Sequence, residues 1–250
     1  MDINVNTLVE DKDSELVVRR RKQLVDAAIG LFSRVGFYVA TVKDVAEAAG
    51  VSAGLVYQYV SDKQDLLFLC LVDIVERNRS EIPAAMQGET DPLSRLSAAI
   101  EAYTRVIATN RKAVLLTYRE TKSLKPEYVE HLKTMELETN ALLAACVSDC
   151  VKAGLLVSHQ TELLVYQIIT GAHFWALKYW RLRSITSLDQ YIEHSIHSCW
   201  VALLTPAGRK RYLQMSKDGP NKRNGARADG AAGPSAIVKP ARKRAAAPAD

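Results

Sequence analysis

Caps and stops between positions 41 and 62 leave the chain little choice of local structure. Thr41 is a strong N-cap with Asp44 three residues on, roughly as in a capping box, and Gly50 stops the helix so started after two turns. Ser52 is placed to cap a second short helix to about Val60. Asp62 is placed to cap a third, which carries Leu67, Cys70, Leu71 and Ile74 on one side. Helices this short are marginal alone, so they must pack on one another. Val45, Ala46, Ala49, Val51, Val56 and Val60 supply an apolar contact across the turn Gly50-Val51-Ser52, and the alanines allow close approach. A helix, a glycine-containing turn and a second helix held in this way form a helix-turn-helix, which can project the far side of its second helix into a DNA major groove.

The same periodic reading extends in both directions. Upstream, an acidic arm and the cationic run Arg19, Arg20, Arg21 and Lys22 precede a helical stripe of Leu24, Ala28, Leu31 and Val35 that Gly36 ends. Downstream, Asp91-Pro92 opens a helix on which Leu93, Leu96, Ile100, Tyr103 and Ile107 recur at helical spacing. A shorter helix over 111–124 precedes Lys125-Pro126, where a long helix starts and carries Leu132, Met135, Thr139, Leu142 and Cys146 to Gly154. Residues 161–184 are apolar on more than one face, and Leu188, Ile192, Ser195, Cys199 and Leu203 define a last helix before Pro206. From Gly208 onward periodicity is lost, which predicts disorder. With 48% apolar but only 7% aromatic residues, the composition suits helices packed on helices. The expected fold is all-α: an N-terminal three-helix DNA-binding domain with the helix-turn-helix, followed by a larger helical effector-binding and dimerisation domain. The expected boundaries are a flexible acidic arm over 1–18, the DNA-binding domain over 19–65, the helical domain over 66–206 and a basic tail over 207–250.

Net charge is a poor guide to DNA binding here. The whole chain is +5, yet residues 207–250 alone carry eleven Lys and Arg against three Asp, so the first 206 residues are net negative. The DNA argument therefore rests on local residues. Cys70, Cys146, Cys150 and Cys199 fall in apolar helical patterns without CxxC spacing, so reduced, packed thiols are expected. Cys146 and Cys150, one helical turn apart, could also meet a soft metal or an oxidant. The start of the chain lacks signal-peptide order, and apolar runs such as 66–72 are far shorter than the roughly 20 residues that span a bilayer, so no membrane association and a cytoplasmic location are expected. His131, His159, His173, His194 and His197 show no metal-ligand spacing with a companion carboxylate, and no phosphate loop or nucleophile elbow is present. Neither enzymatic activity, nor a metal, nor a cofactor is expected.

Residues 20–71 resemble the DNA-binding domain of the tetracycline-repressor (TetR) family throughout. Several sub-motifs carry the likeness independently: DAAIGLFSRVGF, TVKDVAEAAGVS, VYQYV and SDKQDLL. The resemblance implies that Thr41, Lys43 and Ser52 sit near phosphate at helix amino ends, where hydroxyls, backbone N–H groups and an ammonium meet anions. It implies that Ala53, Gly54, Leu55 and Gln58 face the groove, with Gln58 able to make a bidentate contact to adenine. It also implies phosphate contacts for Tyr57, Tyr59 and Lys63. Leu55 departs from the small or hydroxylic residue common at its position; it can touch a thymine methyl but donates no hydrogen bond. Specificity then rests partly on DNA shape.

Such modules bind palindromic DNA as two-fold pairs, which requires a homodimer surface. Leu188, Tyr191, Ile192, Ile196, Cys199, Trp200 and Leu203 give the last helix a wide apolar face for it, and the resemblance implies a four-helix bundle of the last two helices of each subunit. The helices between would enclose a small-molecule effector, with Tyr103, Tyr118, Arg119, Met135, Leu142, Tyr166, Gly171, His173, Phe174 and Trp175 as candidate lining. An apolar body with a cationic mouth at Arg119, Lys122 and Lys125 suits an acyl-CoA or an aromatic acid. Bound effector would shift the spacing of the two reading heads and release DNA. The rival reading is an architectural DNA-binding protein that uses the basic tail for sequence-independent contacts.

Overall fold

The computed structural model describes residues 15–157 and 160–217. It divides into two units, the first ending at Tyr212 and the second beginning at Leu213, of which the end of the last helix is described. The elements are α1 Glu15–Val35, α2 Val42–Ala49, α3 Ala53–Val56, α4 Lys63–Met86, α5 Pro92–Thr109, α6 Arg111–Glu120, a 3-10 turn Thr121–Ser123, α7 Pro126–Lys152, α8 Thr161–Leu177, α9 Tyr179–Leu182, α10 Leu188–Trp200 and α11 Pro206–Lys217. Among the described residues the only extended pairing is an isolated antiparallel bridge between Leu156 and Leu204. The fold class is all-α, as the periodicity predicts.

Helix α1 takes in residues 15–18, which the sequence reading leaves in the acidic arm, so the cationic run lies on helix rather than before it. Lys22 pairs there with Asp26 at 3.0 Å. Leu24, Ala28 and Leu31 are buried, but Val35 in the last turn is 41% exposed. Helix α4 is not the one-sided helix expected: every residue from Asp65 to Val72 is buried. The reason is position. It packs on α1 of the head and on α5, α6 and α7 of the body. The apolar run that is too short for a membrane is thus a strut buried on all sides. One apolar cluster runs without interruption from Leu24, Val45 and Val56 through Phe68 to Leu116, Tyr128 and Met135, so head and body share a core.

In the body, the expected stripe Leu93, Leu96, Ile100, Tyr103 and Ile107 is buried along α5. The helix expected over 161–184 breaks at Lys178 into α8 and α9. A second departure concerns the tail. The chain remains helical from Pro206 to Lys217, past the Gly208 boundary expected for disorder. Pro206 is suited to a first turn because it has no N–H to leave unpaired, and Thr205 caps the turn by accepting the Gly208 N–H at 3.0 Å. A Cβ on Gly208 would lie 1.9 Å from the Leu155 carbonyl oxygen, so glycine is required for this close approach.

Candidate nucleic-acid interface

The helix-turn-helix is built by local polar contacts over an apolar base. Thr41 Oγ1 accepts from the Asp44 N–H at 3.2 Å while Asp44 Oδ2 accepts from the Thr41 N–H at 2.9 Å, a closed capping box. Those bonds hold the Asp44 carboxyl below its usual range. Gly50 adopts φ 68°, where a side chain would strain the backbone, and its N–H closes α2 on the Glu47 carbonyl. Ser52 Oγ accepts from the Leu55 N–H at 3.2 Å. Beneath, Val45, Val56 and Val60 have no exposure, Ala46 and Ala49 have almost none, and Val51 is half-buried against them. Gln23 of α1 donates to the Ala49 carbonyl at 2.6 Å and fixes the end of α2.

Helix α3 is shorter than expected. Regular helix covers Ala53–Val56 only, and Gln58 and Tyr59 donate to Leu55 and Val56 through tighter three-residue turns. Thr41, Lys43, Ser52, Gly54, Tyr57 and Gln58 are exposed, while Ala53 and Leu55 are half-buried. Tyr59 is half-buried against the core cluster. The outward face therefore presents a carboxamide, a phenol and two hydroxyls. Each hydroxyl already accepts one bond and still has its proton to donate.

Lys63 is placed differently from the expectation. Its ammonium donates to the carbonyls of Phe37 at 2.7 Å, Tyr38 at 3.1 Å and Ala40 at 2.9 Å, and lies 4.6 Å from the centre of the Phe37 ring. An ammonium has three protons. All three are engaged in closing the loop between α1 and α2, so in this conformation Lys63 supports the head and has no donor left for phosphate.

Head and body meet at a polar junction that the sequence does not announce. Asp65, 1% exposed, accepts from the backbone of Ser61 at 2.7 Å and Asp62 at 3.3 Å, from Lys125 Nζ at 2.9 Å and from the Tyr128 hydroxyl. Burial alone would raise this carboxyl, but the bonds from Tyr128, Lys125 and Ser61 outweigh it and hold it below its usual range. Lys125 also pairs with Asp62 at 2.9 Å. Around this centre Gln64 donates to the Ser123 carbonyl at 2.8 Å, the Tyr38 hydroxyl meets Ser123 Oγ at 2.9 Å, and Tyr128 stacks on Phe68 at 4.3 Å. Lys125, expected at a cationic pocket mouth, thus serves the junction.

Of the effector candidates, three come together. His173 on α8 bonds through Nε2 to the Tyr103 hydroxyl at 2.9 Å and through Nδ1 to the Tyr118 hydroxyl at 2.8 Å. Burial pushes the imidazole down to about 4, so it is neutral and donates through one nitrogen while accepting through the other. Trp175 is buried beside Tyr179 and Tyr191, and the Gly171 carbonyl accepts from the Tyr191 hydroxyl. Met135 belongs to the shared core, Leu142 is half-buried, and Arg119 is exposed and paired with Glu120 at 3.1 Å. Tyr166 and Phe174 lie outward, 37% and 44% exposed. A surface cavity of about 300 Å³ between α7 and α8 includes Tyr166 with Leu137, Asn140 and Val165. Another of about 430 Å³ lies where α1 meets the α5–α6 turn, beside Tyr179 and Arg111, whose guanidinium stacks 3.6 Å from the Tyr179 ring. Nothing in the pattern signals that stack, because it depends on the break at Lys178.

Of the expected dimer face, one residue is covered by its own subunit. Ile192 is 4% exposed inside its own subunit and so is already covered. Leu188, Tyr191 and Leu203 are half-buried, and the side chains of Ile196, Cys199 and Trp200 lie outside the described residues. Helix α8 instead carries an uncovered stripe, Leu163 at 54%, Tyr166 at 37%, Phe174 at 44% and Leu177 at 38% exposure, at helical spacing.

Comparison with known proteins fixes the kinship. The family model described as bacterial regulatory proteins, tetR family, matches residues 24–70, and the tetracyclin repressor-like C-terminal domain matches residues 89–194. The chain belongs to the TetR family. It is 39% identical to the HTH-type transcriptional regulator HbdR of Aromatoleum sp. (strain CIB), over 82% of this chain and 90% of that one. It is 26% identical to the HTH-type transcriptional activator FasR of Mycolicibacterium smegmatis, over 62% of this chain and 72% of that one. The crystal structure of a TetR-family regulator from Rhodococcus RHA1 superposes with TM-score 0.63 at 20% identity, covering 72% of this chain and 96% of the other. TetR-family proteins are non-enzymatic transcription regulators that bind DNA and small-molecule effectors and act as dimers. Among the described residues no helix is long and apolar enough to cross a membrane.

Proposed function

We propose that this TetR-family regulator is a repressor that binds a palindromic operator as a homodimer in the cytoplasm and is released by a small, largely apolar effector. The observation that carries the reading is the exposure of Ser52, Gly54, Tyr57 and Gln58 on one short segment, over valines with no exposure. In this account Gln58 reads a base edge, Leu55 touches a thymine methyl, Ala53 and Gly54 let the backbone approach, and Thr41, Lys43, Ser52 and Tyr57 hold phosphates. Tyr59 contributes through its hydroxyl, and Lys63 acts indirectly by fixing the loop before α2. The exposed stripe on α8 supports dimerisation there, because large uncovered apolar stripes mark association surfaces.

For the effector, the neutral Tyr103–His173–Tyr118 chain offers both a donor and an acceptor among apolar helices, which suits the carbonyl of an acyl-CoA or aromatic acid. Release would run through the Asp65–Lys125 junction, which ties the first turn of α4 to the start of α7. Selecting bound sequences from random duplexes, then repeating gel shifts with acyl-CoAs and aromatic acids that raise the melting temperature, tests the reading. A palindrome that is bound without effector and released with it supports repression. Binding only with effector present reverses the direction, and equal binding of all duplexes leaves the architectural alternative.

A further inference from the structure

Helix α4 ends at Met86, and there its thioether meets α7. The Cys146 thiol donates to Met86 Sδ at 3.2 Å. Cys150 follows one helical turn later, where Cβ atoms stand about 5–6 Å apart, and the two thiols are 3% and 0% exposed. The Met86 and Cys146 sulfurs are thereby in contact across two helices, and Cys150 follows one turn on along α7.

We propose that Met86, Cys146 and Cys150 form a binding site for one soft monovalent metal ion, Cu(I) or Ag(I). Thiolate and thioether donors select such ions over hard cations. Two thiolates and a thioether satisfy a two- or three-coordinate ion, whereas structural zinc takes four ligands. Among the described residues no group of three or more His, Cys, Asp or Glu stands ready to hold a metal.

Charge balance fits the same ion. Burial pushes the Cys150 thiol up to about 12 and raises Cys146, so both are protonated when no metal is bound. Binding replaces two protons: two Cys–SH and one M⁺ give an anionic bis-thiolate complex and two H⁺. Arg95 from α5 favours the charged thiolates, while Asp149 from α7 and Asp91 at the start of α5 oppose them. Arg95 is held only loosely by Asp149, at 3.7 Å, and can offset the single negative charge of the complex. Because protons are displaced, apparent affinity rises with pH. Met86 is half-buried in the last turn of α4, before Gly88 at φ 84°.

The test uses the full-length, reduced chain, titrated anaerobically with Cu(I) against bathocuproine disulfonate, and with Ag(I) followed by native mass spectrometry. One equivalent retained against the chelator is expected, with loss in Cys146→Ser and Cys150→Ser, retention in Cys70→Ser and Cys199→Ser, and a competition curve shifted to lower chelator in Met86→Leu. Cys146→Ala and Cys150→Ala repeat the loss without a buried hydroxyl, and circular dichroism checks that each variant is folded. Failure of the wild type to retain an ion, or equal retention by folded Cys146→Ala and Cys150→Ala, would overturn the site and leave three sulfurs that only fill space.

Discussion

In the reading head, the polar side chains that shape helix ends find their partners three residues away, Asp44 with Thr41, Leu55 with Ser52 and Asp65 with Asp62, while Gln23 and Lys63 reach carbonyls 23 to 26 positions away. In the body and at its junction with the head, they find them 55 to 70 positions away, as in Tyr118 with His173, Lys125 with Asp65, and Tyr103 with His173. Local bonds set the shape of a helix end; distant ones set how helices stand against each other. The head is therefore shaped by caps and glycines and tied together by Gln23 and Lys63, and in the proposed mechanism regulation acts on the bonds that join it to the body.

Substitutions should separate these two kinds of bond. The largest effect is expected from Asp65→Ala, which removes the buried acceptor of the Tyr128 hydroxyl and of two backbone N–H groups and leaves Lys125 with Asp62 alone. A loss of about 3–5 kcal/mol in denaturant unfolding is expected, and a loss below 1 kcal/mol would mean the junction is not what binds head to body. Next is the pH response of His173. Its folded value near 4 lies below the ordinary 6.5, so the unfolded chain takes up the proton first. Stability is full above 6.5 and falls toward 4, by up to about 1.4 kcal/mol per pH unit. Unfolding followed from pH 7 to 5 should show this slope, and His173→Gln should lack it; equal slopes would remove the buried-imidazole account. Asp65, held below the usual carboxylate range, loses its contribution only at lower pH. Gly50→Ala should cost about 1–2 kcal/mol through its left-handed backbone alone. Thr41→Ala should cost about 1 kcal/mol. Unchanged melting in both head variants would show that local bonds do not set the head.

The contrast also explains what could be read in advance. Thr41, Gly50, Ser52 and Asp62 act through bonds to residues three or four positions away, so the head was legible nearly residue by residue. Lys63 was not, because its three acceptors lie on a loop more than twenty residues upstream. Ile192 reads as an interface residue because periodicity reports that a face is apolar, not whether it meets its own subunit or another. The stripe on α8 was hidden for the same reason: a helix apolar on several faces gives no sign of which face remains open. Tyr103 and His173 were each visible as candidates, but their bond depends on how α5 packs on α8, which no local signal encodes.

The central claim is that the exposed face around Gln58 reads DNA. Competition binding of the wild type and Gln58→Ala to a selected palindrome and to bulk DNA, at fixed salt, tests it most directly. The wild type should prefer the palindrome by at least about a thousandfold. Gln58→Ala should lose about ten- to a hundredfold of discrimination at one base position in each half-site, with melting unchanged because Gln58 is exposed. No preference in the wild type, or an undiminished preference at every position in Gln58→Ala, would contradict the account.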